Sequence, residues 1–271
     1  MGSEEIKGLD NWVTFLSQVE IPVLKQTARE LNALHEDADR ISARGVADVI
    51  ARDPLMTVKL LRYLQVHKHS QQDHEVVQVE QALLMLGVET LFKKFPPKPL
   101  AEEMLRGHTS ALISLLSVVH RSHRASDYAR DWAARMHDLH FEEVRIAALL
   151  HDIAELLMWC FAPGEMLKIS ALLQQDKTRR SHSAQEEILG FSLVDLNLAL
   201  ASKWSLPKLL QTLMDDKFSM LPRVRNITLA VNLSRHSAKG WDDAALPGDY
   251  QEIGELLNMK ADDVKVMIGE E

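Results

Sequence analysis

The chain has 271 residues, 46% apolar and 26% charged, enough for one large domain or two smaller ones with a full core and no sign of long disorder. A net charge of −8 and a pI near 5.8 weigh against non-specific nucleic-acid binding, which needs basic surface to displace counterions from phosphate. The single cysteine, Cys160, excludes an internal disulfide and a cysteine-rich zinc site; in the apolar run Leu156–Phe161 it suits a reducing compartment and the role of a small buried hydrophobe.

The chain starts Met1-Gly2-Ser3-Glu4-Glu5, without the basic and apolar stretches of a signal peptide, and Ile6 stands where a myristoylation signal carries Ser or Thr. No stretch approaches the ~18 uninterrupted apolar residues of a membrane span. We therefore expect a cytoplasmic protein, with neither a membrane nor a nucleic acid as partner.

Helical periodicity dominates from there. Leu24, Ala28, Leu31 and Leu34 recur at three- and four-residue steps, as do Val46, Val49 and Ile50, then Val58, Leu61 and Leu64. Pro22 suits a first helical turn, and Asp53-Pro54 reads as a cap between two helices. Val76-Val77-Gln78-Val79 is the best strand candidate, and it is short. Gly87 separates helices expected over about 80–86 and 88–95, and Phe95-Pro96-Pro97-Lys98-Pro99 is the clearest linker. Longer helices are expected over about 100–137, 140–160, 164–176, 183–203 and 206–217. Pro222 precedes a helix over about 223–238, residues 240–248 read as a loop, and short helices over about 249–257 and 261–269 close the chain. Asp262 and Asp263 complement the dipole of the last one. The expected fold is all-α: an N-terminal helical bundle over residues 1–98, packed on a second helical subdomain over 99–271 with a C-terminal helical extension.

The sharpest chemical feature is the pair His151-Asp152 within Ala147–Glu155. Burying a carboxylate in an apolar helix is costly unless a partner neutralises it. A divalent metal is one such partner, since hard cations accept mixed N/O donors. His120, His123 and Asp127 follow steps of three and four on one helix face and offer further donors. The alternative is structural, with Asp152 bonded to a neighbour and His151 a satisfied core histidine. His137 and His140 read as loop residues. His67, His69 and His74 read as a polar loop with metal binding as the lesser option. Arg121, Arg124, Arg130 and Arg135 are expected to pair with nearby acids on the helix surface. Lys177–Arg180 reads as a solvated basic turn. Trp132, Trp159 and Trp204 read as core residues, and Trp241 as the best exposed protein-contact candidate.

Leu149-Leu150-His151-Asp152-Ile153 resembles the signature of HD-domain phosphohydrolases. More of the chain resembles the HDOD family, a non-catalytic relative of those enzymes. Ile21-Pro22-Val23-Leu24, Asp53-Pro54-Leu55, Leu60-Leu61-Arg62 and Gln81–Gly87 match that family's opening segments. Leu189-Gly190-Phe191 and Trp204-Ser205-Leu206-Pro207 match later marks, and Gly240–Pro247 resembles the tail of longer members. The match runs from about residue 10 to 270 and rests on the order of many weak motifs. The resemblance implies a bundle packed on an HD-like helical subdomain and a role in bacterial signal transduction.

Departures from the active HD pattern bear on chemistry. His-Asp-x-Gly-Lys becomes His151-Asp152-Ile153-Ala154-Glu155, which replaces a cation able to stabilise a phosphoryl transition state by an anion that repels phosphate. Leu193 stands where relatives that keep more of the pattern carry a His, and Asp215–Phe218 where a His-His pair often follows. The surviving metal set is His123 (or His120), His151 and Asp152, with Asp195 or Asp215 as a further carboxylate; that is fewer ligands than a two-metal hydrolase needs. We therefore expect a regulatory protein without cofactor or catalysis, with a vestigial metal site. A signalling protein or small-molecule ligand would be its partner, and a homodimer is possible. The alternative is a metal-dependent phosphohydrolase of nucleotides or cyclic dinucleotides.

Overall fold

In a computed structural model, residues 6–36, 42–67 and 75–269 are described. The readings at Met1–Glu5, and the histidine cluster at His69 and His74, lie outside them.

Among the described residues all regular structure is helical, apart from one isolated bridge between Val23 and Leu100. The helices before the proline-rich segment are α1 (Leu9–Gln18), α2 (Lys25–Glu36), α3 (Ala43–Ile50), α4 (Pro54–Val66), α5 (Val79–Leu86) and α6 (Val88–Lys94). Then follow α7 (Ala101–Met104), α8 (Thr109–Arg135), α9 (Phe141–Leu150), α10 (Ile153–Phe161), α11 (Pro163–Gln175), α12 (Ser181–Leu189) and α13 (Leu193–Lys203). The chain ends through α14 (Lys208–Leu213), α15 (Pro222–His236), α16 (Leu246–Leu257) and α17 (Ala261–Ile268). A 3-10 turn, Asp216–Phe218, lies between α14 and α15.

Helix ends follow local chemistry. Asp53 caps α4 by accepting from the N–H groups of Leu55 and Met56, with Pro54 in the first turn, and Ser42 caps α3 through Gly45. Gly87 turns the chain between α5 and α6 at φ 81°. The acids Asp262 and Asp263 occupy the first turn of α17.

Several expected helices are divided. The stretch 140–160 breaks into α9 and α10 at a turn through His151 and Asp152. The stretch 183–203 breaks at Gly190, whose left-handed backbone (φ 81°) ends α12 before Ser192 caps α13. Val76 and Val77 are buried but form no strand. The expected loop over 240–248 is shorter, because α16 already starts at Leu246 with Pro247 in its first turn.

The chain forms two compact units, each discontinuous in sequence: unit 1 is Met1–Val119 with Asp152–Pro207, and unit 2 is His120–His151 with Lys208–Glu271. In unit 1, α1 packs on α13, and α4 on α5 and α10. Its core holds Trp12, Leu16, Leu55, Met56, Leu60, Leu61 and Leu83, with Phe15 edge-on to Phe161 at 5.6 Å. The proline-rich segment belongs to this unit. Val23 N–H donates to Pro99 and Ala101 N–H returns to Val23, at 2.9 and 3.0 Å. In unit 2, α15 packs on α9 and α16, and α16 on α17. Asn226 is fully buried there and donates to the Ala129 carbonyl at 2.9 Å. Among the described residues no single helix is long and apolar enough to cross a membrane.

Candidate functional site

His151 follows the last turn of α9, and the division between the units falls between it and Asp152. Asp152 sits at the N-cap of α10, although its side chain makes no capping hydrogen bond there. Within unit 2 the imidazole of His151 is nearly buried, and its Nε2 lies 3.7 Å from Oδ1 of Asp216 in the 3-10 turn. Thr228 on α15 donates its hydroxyl to the same carboxylate oxygen at 2.7 Å. The Asp216 carboxyl is held below its ordinary range, chiefly by the His151 ring; partial burial opposes this, while the His151 charge, the Thr228 hydroxyl and the Arg235 charge reinforce it.

A catalytic metal needs several donors converging on one point with a position left open. Among the described residues no three His, Cys, Asp or Glu side chains gather to hold a metal ion. The imidazole of His151 faces the Asp216 carboxylate, which already accepts from Thr228. His123 is half-buried and His120 exposed, both on α8. The further carboxylates considered from sequence have other work. Asp195 N–H and the Ser192 hydroxyl form a reciprocal cap at 3.1 and 2.7 Å. Asp215 accepts from Lys217 N–H in the 3-10 turn. The carboxylate that reaches His151 is the next residue, Asp216. The only sequence signal for it was the acidic pair at the position where relatives often carry His-His.

Elsewhere in unit 2, Asp138 and Arg223 form a two-pronged ion pair of 2.6 and 2.7 Å, which holds the Asp138 carboxyl below its ordinary range. The Arg124 guanidinium lies 5.7 Å from the Tyr128 ring centroid and 5.5 Å from that of Trp241, and it donates to the Ser237 hydroxyl at 3.0 Å. Trp241 is therefore half-buried against a cation rather than displayed. His236 and Asp249 join α15 to α16 at 2.6 Å.

In unit 1 the short motifs meet one another. The fully buried Asp53 accepts from Leu24 N–H at 2.9 Å, which ties the Ile21–Leu24 segment to the Asp-Pro turn. The guanidinium of Arg62 lies 5.8 Å from the Trp204 ring centroid and donates to the Val19 carbonyl. Lys59 is buried along its stem, donates to the Lys98 carbonyl at 2.9 Å and pairs with Glu20 at 2.5 Å.

A family model for the HDOD domain matches residues 21–217. Among solved structures, the MmoQ response regulator from Methylococcus capsulatus str. Bath is 17% identical with a TM-score of 0.69, over 93% of this chain and 98% of that one. A virulence factor from Campylobacter jejuni subsp. jejuni is 17% identical with a TM-score of 0.69, over 96% and 91%. An HDOD domain protein from Geobacter sulfurreducens is 17% identical with a TM-score of 0.50, over 97% and 95%. At such identities the shared feature is the fold. No curated protein matches the chain.

Proposed function

We propose, from the premise that the chain belongs to the HDOD domain family, that it is a regulatory protein of bacterial signal transduction that works by binding and not by hydrolysis. Its partner is a signalling protein or a small-molecule ligand, and its place is the cytoplasm. The observation that supports this reading is the environment of His151: its imidazole faces the Asp216 carboxylate, and among the described residues no three His, Cys, Asp or Glu side chains gather as the metal ligands of a hydrolase would. The reversal of charge at Glu155, where active HD enzymes often carry Lys, supports the same reading, because an anion there opposes a phosphoryl substrate. His123, His151 and Asp152 are then remnants of a metal site, kept for structure.

Calorimetric titration of the purified chain with Mn²⁺, beside elemental analysis, tests this. We expect no stoichiometric metal and no binding tighter than the millimolar range. Tight binding that His151→Ala abolishes would favour the second reading, a metal-dependent phosphohydrolase of nucleotides or cyclic dinucleotides. The adjacent His151-Asp152 pair is the feature that speaks for that alternative.

A further inference from the structure

Arg124 on α8 departs from what its neighbours do. Arg130 pairs with Asp127 at 3.7 Å and Arg135 with Asp131 at 2.8 Å, the surface ion pairs expected along this helix. Arg124 makes no ion pair among the described residues, although acids outnumber lysines and arginines by 39 to 31 in the chain. Its hydrogen bonds all end on neutral acceptors: the Tyr128 hydroxyl at 3.1 Å, the Ser237 hydroxyl at 3.0 Å and the Ser237 carbonyl at 3.4 Å. The rings of Tyr128 and Trp241 flank the guanidinium, and Tyr128 stacks in turn on the buried Trp132 at 5.6 Å. These contacts fix a half-buried cation in place without supplying an anion for it.

The same residues carry donors that the fold does not spend. The Tyr128 hydroxyl accepts from Arg124 but donates to no described residue. The Trp241 indole N–H and Nε of Arg124 donate to none either. All three side chains are only half-buried, so solvent reaches them. Lys239, exposed in the 3-10 turn Ser237–Lys239, adds positive charge two positions before Trp241, against the exposed Asp242 one position after it. The unspent set selects the kind of anion. A carboxylate is taken best by two parallel bonds from a guanidinium fork. Both forks of Arg124 include Nη2, and Nη2 is spent on Tyr128 and Ser237. Single donors on three side chains suit the three oxygens of a phosphoryl group, whose charge of about −1.5 to −2 at neutral pH also matches an unneutralised guanidinium better than a monoanion does.

We infer that Arg124, Tyr128 and Trp241 form a binding site for the phosphoryl group of a small molecule. Trp241 lies beyond residue 217, where the match to the family ends, so the site needs the C-terminal extension of this chain. The site binds and makes or breaks no bond, so it stands whether or not the His151-Asp152 pair hydrolyses anything.

Proton–nitrogen correlation spectra of the full chain, titrated with inorganic phosphate at a constant ionic strength of about 0.1 M, test it. The chain has five tryptophans, and loss of one indole signal in Trp241→Phe identifies that of Trp241. The expected result is a saturable movement of that signal, with a Kd of about 1 mM, while the other four stay in place. Succinate, the carboxylate probe, should bind at least tenfold more weakly. Arg124→Gln should abolish the movement, Arg124→Lys should weaken it, and Tyr128→Phe, which keeps the ring and removes the hydroxyl, should weaken it at least threefold. Arg225→Gln removes a guanidinium that already pairs with Glu255 and should change nothing. If Arg124→Gln fails to fold, Arg124→Lys and Tyr128→Phe decide. No saturable movement, a movement unaltered in the Arg124 and Tyr128 variants, or succinate binding as tightly as phosphate would overturn the inference.

Discussion

Nε2 of His151 lies 3.7 Å from Oδ1 of Asp216, so the imidazole of the His-Asp signature faces a carboxylate from the turn before α15. The Asp216 carboxyl is lower in the folded chain than in the unfolded one, first through the His151 ring and then through Thr228 and Arg235. A carboxyl depressed by folding contributes stability that is complete above its unfolded value and is lost as pH falls through the folded value. Urea unfolding between about pH 3 and 7 should therefore show an acid-side loss of stability that Asp216→Asn reduces. An unchanged acid limb in that variant would remove His151 as its cause.

Asp53 should behave in the opposite way. It is completely buried, and desolvation raises its carboxyl despite donors from Leu24, Met56, Thr27 and Leu55. A raised carboxyl costs stability progressively as pH rises from its unfolded value through its folded one. The four donors offset part of the cost of burying it. Asp53→Ala leaves those donors without a partner and should cost about 3 kcal/mol or more. Asp53→Asn keeps one acceptor for Leu55 and Met56 but turns an amide against Leu24 N–H, so it should fall between Ala and wild type. Urea midpoints measure all three.

A third test is steric. A Cβ built on Gly254 in α16 would lie 2.6 Å from the Met259 carbonyl oxygen, at the turn into α17. Backbone cannot yield as a flexible side chain does, so Gly254→Ala should cost about 1–3 kcal/mol, despite the higher helix propensity of alanine. Thermal unfolding would show it, and a neutral or stabilising result would contradict the close approach.

Cys160 should be inert in the native state. Burial pushes its thiol up to about 12, with Glu102 and Asp53 adding to the effect. At about pH 8 almost no thiolate is present. An aromatic disulfide reagent should react only as fast as the chain opens, and fully once urea unfolds it. Rapid stoichiometric reaction of the folded protein would show that the thiol is not enclosed.

The all-helical fold was legible because its signals are local. The apolar period, Asp53-Pro54 and Gly87 each act within a few residues, and each appears where the sequence placed it. The helix breaks at Gly190 and at His151-Asp152 were harder. An apolar run continues across both, and only the backbone at Gly190 and the turn at 151–152 end it. The environment of His151 was least legible, because it depends on which of two adjacent aspartates points inward. Asp215 spends its side chain on the 3-10 turn, and that leaves Asp216 to face the ring. The same limit hid the partner of Trp241: nothing local to the Gly-Trp-Asp-Asp stretch shows that Arg124, on α8, lies over its ring.

Binding without hydrolysis is tested most directly by phosphodiester turnover. The full chain would be incubated with a chromogenic phosphodiester and with a cyclic dinucleotide, in saturating Mn²⁺ or Mg²⁺, beside His151→Ala. Release equal to the blank for both proteins is the expected result. Release well above the blank that vanishes in His151→Ala would contradict the account and make the His151-Asp152 pair catalytic.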